Sequence, residues 1–584
     1  MASSQTIQAL AVSPGIAIGR VMSLRRLVGK RPERRIITDA DVDGELARLA
    51  EALKRTREQL AALRDALRGR LDTSGVEIFD AHLLLVEDKA LLSSVEERIR
   101  KEHLGVEFAV YSSIEQFSAV FSEMPDEYLR ERAVDLHDVG NRILANLTDA
   151  APESEFSGRR IVVAPTLAPS DTVRLDRDKV LGIAVEIGSA TSHTAILARS
   201  LRIPAVVDIP PGLLDQLSGD DTMIIDGYSG KVLVNPDERT VEAYRLKAKT
   251  AGEFMEQLER DSALRPETVD GFIVELAANI DAHASYADAR AVGAHGVGLF
   301  RTEFMFSDAS HLPGEDEQFD VYKQLLTEAG DDPVTVRTMD IGGDKAFGGV
   351  YRSNEENPFL GLRGIRLSLY ERPDLFRTQL RALLRAGIFG NLRVMLPMVT
   401  SVLEVEEVRK IIAELERDLR DEHREFAPLC LGVMIETPAA ALLADKLAPM
   451  VDFFSIGSND LVQYTMAADR GNDRVAYLYR PTHPSILRLI DFCVAAAKRN
   501  NIFVGVCGQM AGEPATALLL IGLGVHELSM SPGSIPLIRR VVRSLSLHEA
   551  TAVARRAIDC RVASEAMELA QKLLEERVPE LAAL

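Results

Sequence analysis

One histidine stands at a junction between a strand-like and a helix-like run. The stretch Gly188-Ser-Ala-Thr-Ser-His193-Thr-Ala-Ile-Leu-Ala-Arg-Ser200 follows a strand-like run, Val180-Leu-Gly-Ile-Ala-Val-Glu186, and continues into residues suited to a helix. Thr191 or Ser192 can accept from the free N–H groups that open this helix. His193 then falls in the first turn, where the positive end of the macrodipole favours a phosphoryl group on the imidazole. That attraction is worth about 0.3–1 kcal/mol when exposed and about 2 kcal/mol at best. Such a strength suits a group that is taken up and given away, not a permanent anion site.

A second set of reactive residue types lies in the later half. Candidate strands run over 274–280, 296–300, 334–337, 392–398, 431–435, 453–456, 503–507 and 527–530, each separated from the next by a helical pattern. Eight such units predict a (β/α)8 TIM-like barrel, whose chemistry sits at the carboxyl ends of its strands. Arg301, Arg337, Glu436, Asn459 with Asp460, and Cys507 all occupy that end. Two guanidinium forks suit carboxylate and phosphate oxygens. Glu436 and Asp460, from neighbouring strands, suffice for Mg2+, which takes one or two carboxylates plus substrate phosphate and water. The expected ligand is small and carries both a phosphate and a carboxylate.

The rest of the chain reads as what positions these two sets. Short apolar runs broken by Pro14, Gly15 and Gly19 open the chain as strands, and strand patterns return from about residue 160, punctuated by prolines. Between them, Val42, Leu46, Leu49, Leu53, Leu60, Leu63 and Leu67 form one stripe of a long amphipathic helix, with Thr56 filling the gap. The expected division is a multidomain α/β chain. A phosphohistidine α/β domain (1–35 and 147–235) carries an all-helical insert (36–146); a charged linker helix (236–265) leads to the barrel (266–584).

Composition sets outer limits. With 584 residues, 46% hydrophobic and 27% charged, this is a globular chain of several domains. A formal charge of -20 argues against nucleic acid as partner and favours a basic protein partner. Apolar runs of bilayer length and a signal peptide are both absent, so no membrane insertion is expected. Cys430, Cys493, Cys507 and Cys560 form no C-x-x-C pair, which points to a reducing, cytoplasmic setting.

The motifs themselves resemble a known family. Thr-Ser-His193-Thr with Ala-Arg-Ser and Ile203-Pro-Ala-Val is similar to the phosphohistidine signature of phosphoenolpyruvate-utilising enzymes. Asp452-Phe-Phe-Ser-Ile-Gly-Ser-Asn-Asp-Leu-Val-Gln-Tyr-Thr-Met-Ala-Ala-Asp-Arg470 resembles the second signature of enzyme I of the bacterial sugar phosphotransferase system. Gly298-Leu-Phe-Arg-Thr-Glu-Phe, Val336-Arg-Thr-Met-Asp, Glu355-Glu-Asn-Pro-Phe-Leu-Gly, Met434-Ile-Glu-Thr-Pro-Ala and Gly505-Val-Cys-Gly-Gln-Met-Ala-Gly follow in the family's order.

By position in those motifs, the resemblance implies phosphoenolpyruvate contacts at Arg301, Arg337, Asn459, Asp460 and Arg470. It further implies Mg2+ ligands at Glu436 and Asp460, a proton donor at Cys507 and a phosphoryl acceptor at His193. It also implies a hydroxyl partner for the histidine at Thr172, a homodimer through the barrel, and transfer to the phosphocarrier HPr docked on the insert that holds His82, Glu87 and Asp88. Ser189-Ala190 and Gln509 depart from the usual family residues. With no sensory domain before residue 1, the general sugar system is expected over its nitrogen-related variant. Two other readings remain: a dikinase-like phosphotransferase, which would require a nucleotide domain for which no glycine-rich phosphate loop is found, and an idle regulatory scaffold.

Overall fold

The computed structural model describes residues 4–23, 32–67, 82–122, 127–148, 159–167, 179–188, 193–201, 203–281, 286–306, 312–342, 350, 355–470, 472 and 474–583. The chain divides into two compact units, residues 1–253 with 583–584, and residues 254–582. None of the described helices is long and apolar enough to cross a membrane.

The first unit is built on an eight-stranded sheet. Its strands are β1 (Gln5–Gln8), β2 (Leu10–Ser13), β3 (Ile16–Ser23), β4 (Arg160–Ala164), β5 (Val180–Val185), β6 (Ala205–Val207), β7 (Thr222–Asp226) and β8 (Lys231–Val234). They lie in the order β1-β8-β7-β3-β4-β5-β6-β2. The run β3-β4-β5-β6 is parallel, and the remaining pairs are antiparallel. Strands such as Ile161-Val-Val-Ala164 are apolar throughout because both faces of the sheet are covered. Helix His193–Ser200 packs on one face through Ala195 and Ala198, both fully buried, whose small side chains let the helix lie close to the strands.

Helices Val42–Leu67, Lys89–Arg100, Val106–Ser122 and Glu127–Thr148 come between β3 and β4. The leucine stripe read from the sequence turns Leu49 and Leu60 into their core, and Thr56 fills its gap by donating to the Ala52 carbonyl at 2.8 Å. Gly140 lets the last two helices meet closely, since a Cβ there would stand 1.9 Å from Ile114 Cδ1. Glu45 is buried in this bundle and accepts from Arg35, from Arg48 at 3.1 Å and from the Val106 N–H at 2.9 Å; Arg48 also pairs with Glu107. His82 is core, not surface: it is fully buried, with Nε2 3.1 Å from Asp135 Oδ1. Asp88 caps helix Lys89–Arg100 by accepting from the Leu91 N–H at 2.8 Å, and Glu87 pairs with Arg57.

The charged run after β8 is helix Glu238–Arg260. Lys247 fastens its early turns to the sheet, with Nζ 2.8 Å from the buried carboxylate of Asp226.

The second unit holds β9 (Glu275–Ile280), β10 (Val297–Phe300), β11 (Val334–Arg337), β12 (Leu392–Leu396), β13 (Cys430–Ile435), β14 (Phe453–Gly457), β15 (Phe503–Cys507) and β16 (Glu527–Met530). All eight are parallel and close into a barrel, β16 pairing back onto β9. Each strand lies within a residue or two of the span read from the sequence. The clearest difference is β12, which stops at Leu396 although its apolar run continues to Met398. Pro397 has no N–H to give to a neighbouring strand, and Met398 takes the left-handed conformation with φ 58°.

Candidate active site

The barrel brings its polar residues to one end because parallel strands all finish on the same side. Arg337 is the last residue of β11, Glu436 follows β13, Asn459 and Asp460 follow β14, and Cys507 is the last residue of β15. Arg301 follows β10, half-exposed and 3.5 Å from Asp281, which follows β9. Arg470 is exposed, its backbone N–H donating to Gln463 Oε1 at 3.2 Å.

Three residues that reasoning from the sequence did not single out complete the cluster. Glu303 accepts from Arg337 Nη2 at 2.7 Å and from the Asp340 N–H at 3.0 Å. Asp340 lies 3.2 Å from Arg337 Nη1 and receives Arg363 through two bonds, Nε and Nη2 each at 2.9 Å. Arg363 also reaches Asp460, at 3.0 Å and 3.3 Å, and the Tyr464 hydroxyl at 3.1 Å. Glu303 and Asp340 stand inside two of the family-like motifs, at Arg301-Thr-Glu and Arg337-Thr-Met-Asp. Arg363 comes two residues after Asn-Pro-Phe-Leu-Gly361 but follows no strand. Those motifs were the signal available for Glu303 and Asp340; Arg363 had none of its own.

The cluster is almost entirely out of water. Asp340 is 0% exposed, Glu436 and Arg363 1%, and Arg337 5%. Four carboxylates (Glu303, Asp340, Glu436, Asp460) surround two buried guanidinium groups (Arg337, Arg363), so the fully ionised set would carry two negative charges more than positive. Glu436 registers that excess. Burial, then the neighbouring Asp460 and Asp340, push its carboxyl up to about 8 against the opposing pull of Arg363 and Arg337. Burial alone would weaken the charge on Arg337 and Arg363, but their carboxylate neighbours outweigh it and keep both firmly ionised.

Backbone turns aim these groups. The left-handed turn at Met398 points its N–H at Glu436 Oε1, 2.6 Å away, which is a reason for a side-chain-bearing residue to accept that conformation. Gly508 has φ 122° and passes so near Ser458 that a Cβ would lie 2.5 Å from its Oγ; only glycine fits. The next N–H, of Gln509, donates to Asn459 Oδ1 at 3.1 Å, while the Gln509 side chain is exposed. Cys507 is 3% exposed. Burial pushes its thiol up to about 11, and the Ser455 hydroxyl and Arg337 only partly offset that. Burial thus outweighs both the arginines and the carboxylate near this thiol.

His193 belongs to the other unit, where it opens helix His193–Ser200 as expected. Its imidazole lies outside what the structure describes, as do Thr172, Ser189, Ala190, Thr191 and Ser192. Among the described residues no group of three or more metal-binding side chains meets the geometry of a complete metal site.

Three family descriptions match the chain: "PEP-utilising enzyme, N-terminal" over residues 8–132, "PEP-utilising enzyme, mobile domain" over 156–230, and "PEP-utilising enzyme, PEP-binding domain" over 255–547. The chain is 42% identical over 573 residues to the phosphoenolpyruvate-protein phosphotransferase of Geobacillus stearothermophilus, covering 97% of this chain and 98% of that one. It is 40% identical over 569 residues to the protein of the same name from Staphylococcus aureus, covering 97% and 99%. A third of that name, from Staphylococcus carnosus, is 39% identical over 574 residues, covering 97% and 99%. On this end-to-end likeness, the chain belongs to the phosphoenolpyruvate-protein phosphotransferase family of PEP-utilising enzymes.

Proposed function

We propose that the chain takes the phosphoryl group of phosphoenolpyruvate onto His193, releases pyruvate, and passes the group to the phosphocarrier HPr, the opening step of sugar uptake by a phosphotransferase system. The observation that carries this reading is the buried, electrically incomplete cluster at the carboxyl end of the barrel, in a chain whose relatives bear that name.

In this reading Arg301, Arg337 and Arg470 hold the phosphate and carboxylate of the substrate, with Asn459 beside them. Guanidinium groups bind such oxygens in fixed orientation. The donor chemistry at Glu436 and Asp460 fits Mg2+: both are hard oxygen ligands, and with Glu436 deprotonated the two excess negative charges equal those of a divalent cation. When bound, Mg2+ supplies neutralisation of phosphate charge. The neutral imidazole of His193 attacks phosphorus in line, and positioning with fixed charges provides most of the acceleration. Cys507, mostly protonated with its thiol near 11, gives a proton to the carbon of the departing enolate.

The division of labour is part of the proposal. Residues 1–35 and 147–235 form the phosphohistidine domain, 36–146 the insert that docks HPr, 236–265 the linker helix, and 266–584 the substrate-binding and dimerising barrel. The exposed apolar side chains of Leu360, Tyr370, Leu442 and Tyr477 support a homodimer through that barrel. Four free cysteines support a cytoplasmic setting.

The test is incubation with labelled phosphoenolpyruvate and Mg2+ in the absence of nucleotide. The expected result is an acid-labile phosphoprotein, abolished in His193→Ala and discharged by HPr. Labelling that needs ATP, or no labelling of the folded protein, overturns the reading.

A further inference from the structure

Ser455 lies in the middle of β14, 3% exposed, between Met434 of β13 and Gly505 of β15 in the strand register. Its hydroxyl donates to Cys507 Sγ at 3.4 Å, and Sγ in turn lies 3.7 Å from the Ile456 carbonyl oxygen. The surrounding core is apolar, with Leu299, Met395, Met434 and Phe453 packed around Cys507. A neutral thiol is a weak acceptor, so a buried hydroxyl bonded to it recovers little of what it loses on leaving water. Alanine would fill nearly the same volume without that cost, which makes the serine hard to explain by stability alone.

A hydrogen bond donated to sulfur becomes strong once the sulfur is charged. We propose that Ser455 is a positioning residue for the protonation step: its hydroxyl fixes the direction of the Cys507 S–H bond and holds the negative charge that develops on sulfur as the proton leaves. This rests on the reading above, in which Cys507 protonates the enolate. In that step the enolate electron pair forms the new C–H bond, the S–H bond breaks, and the enolate oxygen becomes the keto oxygen of pyruvate. The thiolate then takes a proton from water, and hydroxide passes to solvent. The charged groups facing Cys507 from other elements are Arg337 on β11, Glu436 after β13 and Arg301 after β10. Ser455 is the neighbour that donates directly to sulfur.

The test compares wild type, Ser455→Ala and Ser455→Thr as full-length proteins with Mg2+. Single-turnover experiments in deuterated water follow phosphoprotein formation and deuterium entry into the methyl group of pyruvate. Separately, mass spectrometry follows iodoacetamide labelling of the Cys507 peptide against pH. Ser455→Ala is expected to slow deuterium entry roughly 10- to 100-fold, the worth of one hydrogen bond to a charged group, while still forming phosphoprotein. It is also expected to move the labelling profile to higher pH at unchanged or raised Tm, and Ser455→Thr to restore both readouts. A folded Ser455→Ala with wild-type deuterium entry and labelling profile overturns the proposal. So does a loss that appears only as a lowered Tm. If wild type forms no phosphoprotein, the proposed function falls and the protonation role with it. The labelling profile, which needs no substrate, still shows whether Ser455 acts on the sulfur, so the two failures are distinguishable.

Discussion

The helical segment around Glu45 and the barrel mouth around Glu436 both take carboxylates out of water beside two arginines, yet they end in opposite electrical states. Around Glu45 the signs match, Arg35 and Arg48 against Glu45 and Glu107. Burial would raise the Glu45 carboxyl, but the Val106 N–H and the two arginines outweigh it and hold the group below its usual range. Around Glu436 four carboxylates meet two arginines, and the carboxyl is driven up to about 8. A balanced buried cluster is complete as a structural joint. An unbalanced one keeps a counter-charge in demand, and that demand marks a binding site more surely than burial or residue type.

The comparison breaks most decisively at Glu436 itself. Glu436→Gln is expected to lower kcat/KM for phosphoenolpyruvate by roughly 10³-fold or more, as loss of a preorganised charged group in a dry site does. In the Mg2+-free protein above about pH 8, where Glu436 is ionised, the same change should raise Tm, because it removes one of the crowded charges. Scanning calorimetry showing a lowered Tm would mean that the cluster is a structural joint after all.

A pH series sharpens the same contrast. A carboxyl whose folded pKa is raised, here from 4.5 to about 8, binds its proton more tightly in the folded than in the unfolded state. Its contribution to stability is complete below about 4.5 and is lost as pH rises through about 8. Metal-free protein should therefore lose stability as pH rises from about 4.5 to about 8. Added Mg2+ should remove that loss, and a denaturation series with and without Mg2+ reads both effects.

Glu45→Gln makes the opposite prediction. Its arginine partners are half in water, so the expected cost is about 1–3 kcal/mol of stability, with kcat/KM unchanged below the melting transition. A large fall in turnover at constant Tm would contradict the structural assignment. The smallest effect is expected at Asp270, an exposed side chain that caps helix Leu547–Ile558 from outside by accepting from the Leu547 and His548 N–H groups at 2.7 Å and 3.2 Å. A side-chain bond from Thr268, together with these backbone bonds, holds its carboxyl down at about 2. Asp270→Asn should cost no more than about 1 kcal/mol. Because a depressed carboxyl contributes above its unfolded pKa and loses that contribution as pH falls through about 2, the difference from wild type should vanish in strong acid.

What the sequence reveals follows from which forces are local. Barrel strands were readable because each is a short, mostly apolar run between helical patterns, and the parallel arrangement carries Arg337, Glu436, Asp460 and Cys507 to one end without further information. Arg363 was not readable, since its reach to Asp340 and Asp460 depends on the path of a segment between β11 and β12 that is neither strand nor regular helix at that point. The Met398 turn was equally hidden: an apolar residue after a proline gives no sign of a left-handed backbone, and its reason lies 38 residues away at Glu436. Ser455 looked like one more small residue in a buried strand. Charge balance could not be judged from the sequence either, because a chain with 88 acidic and 68 basic residues does not announce which of them share one dry space.

The buried thiol at the end of β15 has a consequence for the life of the protein under oxidative stress. Peroxide attacks thiolates, not thiols, and a group with a pKa of about 11 presents only about one thiolate in ten thousand at pH 7. Of the remaining cysteines, Cys430 and Cys560 are more accessible than Cys507 and Cys493. Sulfenic acid should accumulate on those two first and leave the sulfur at the barrel mouth intact.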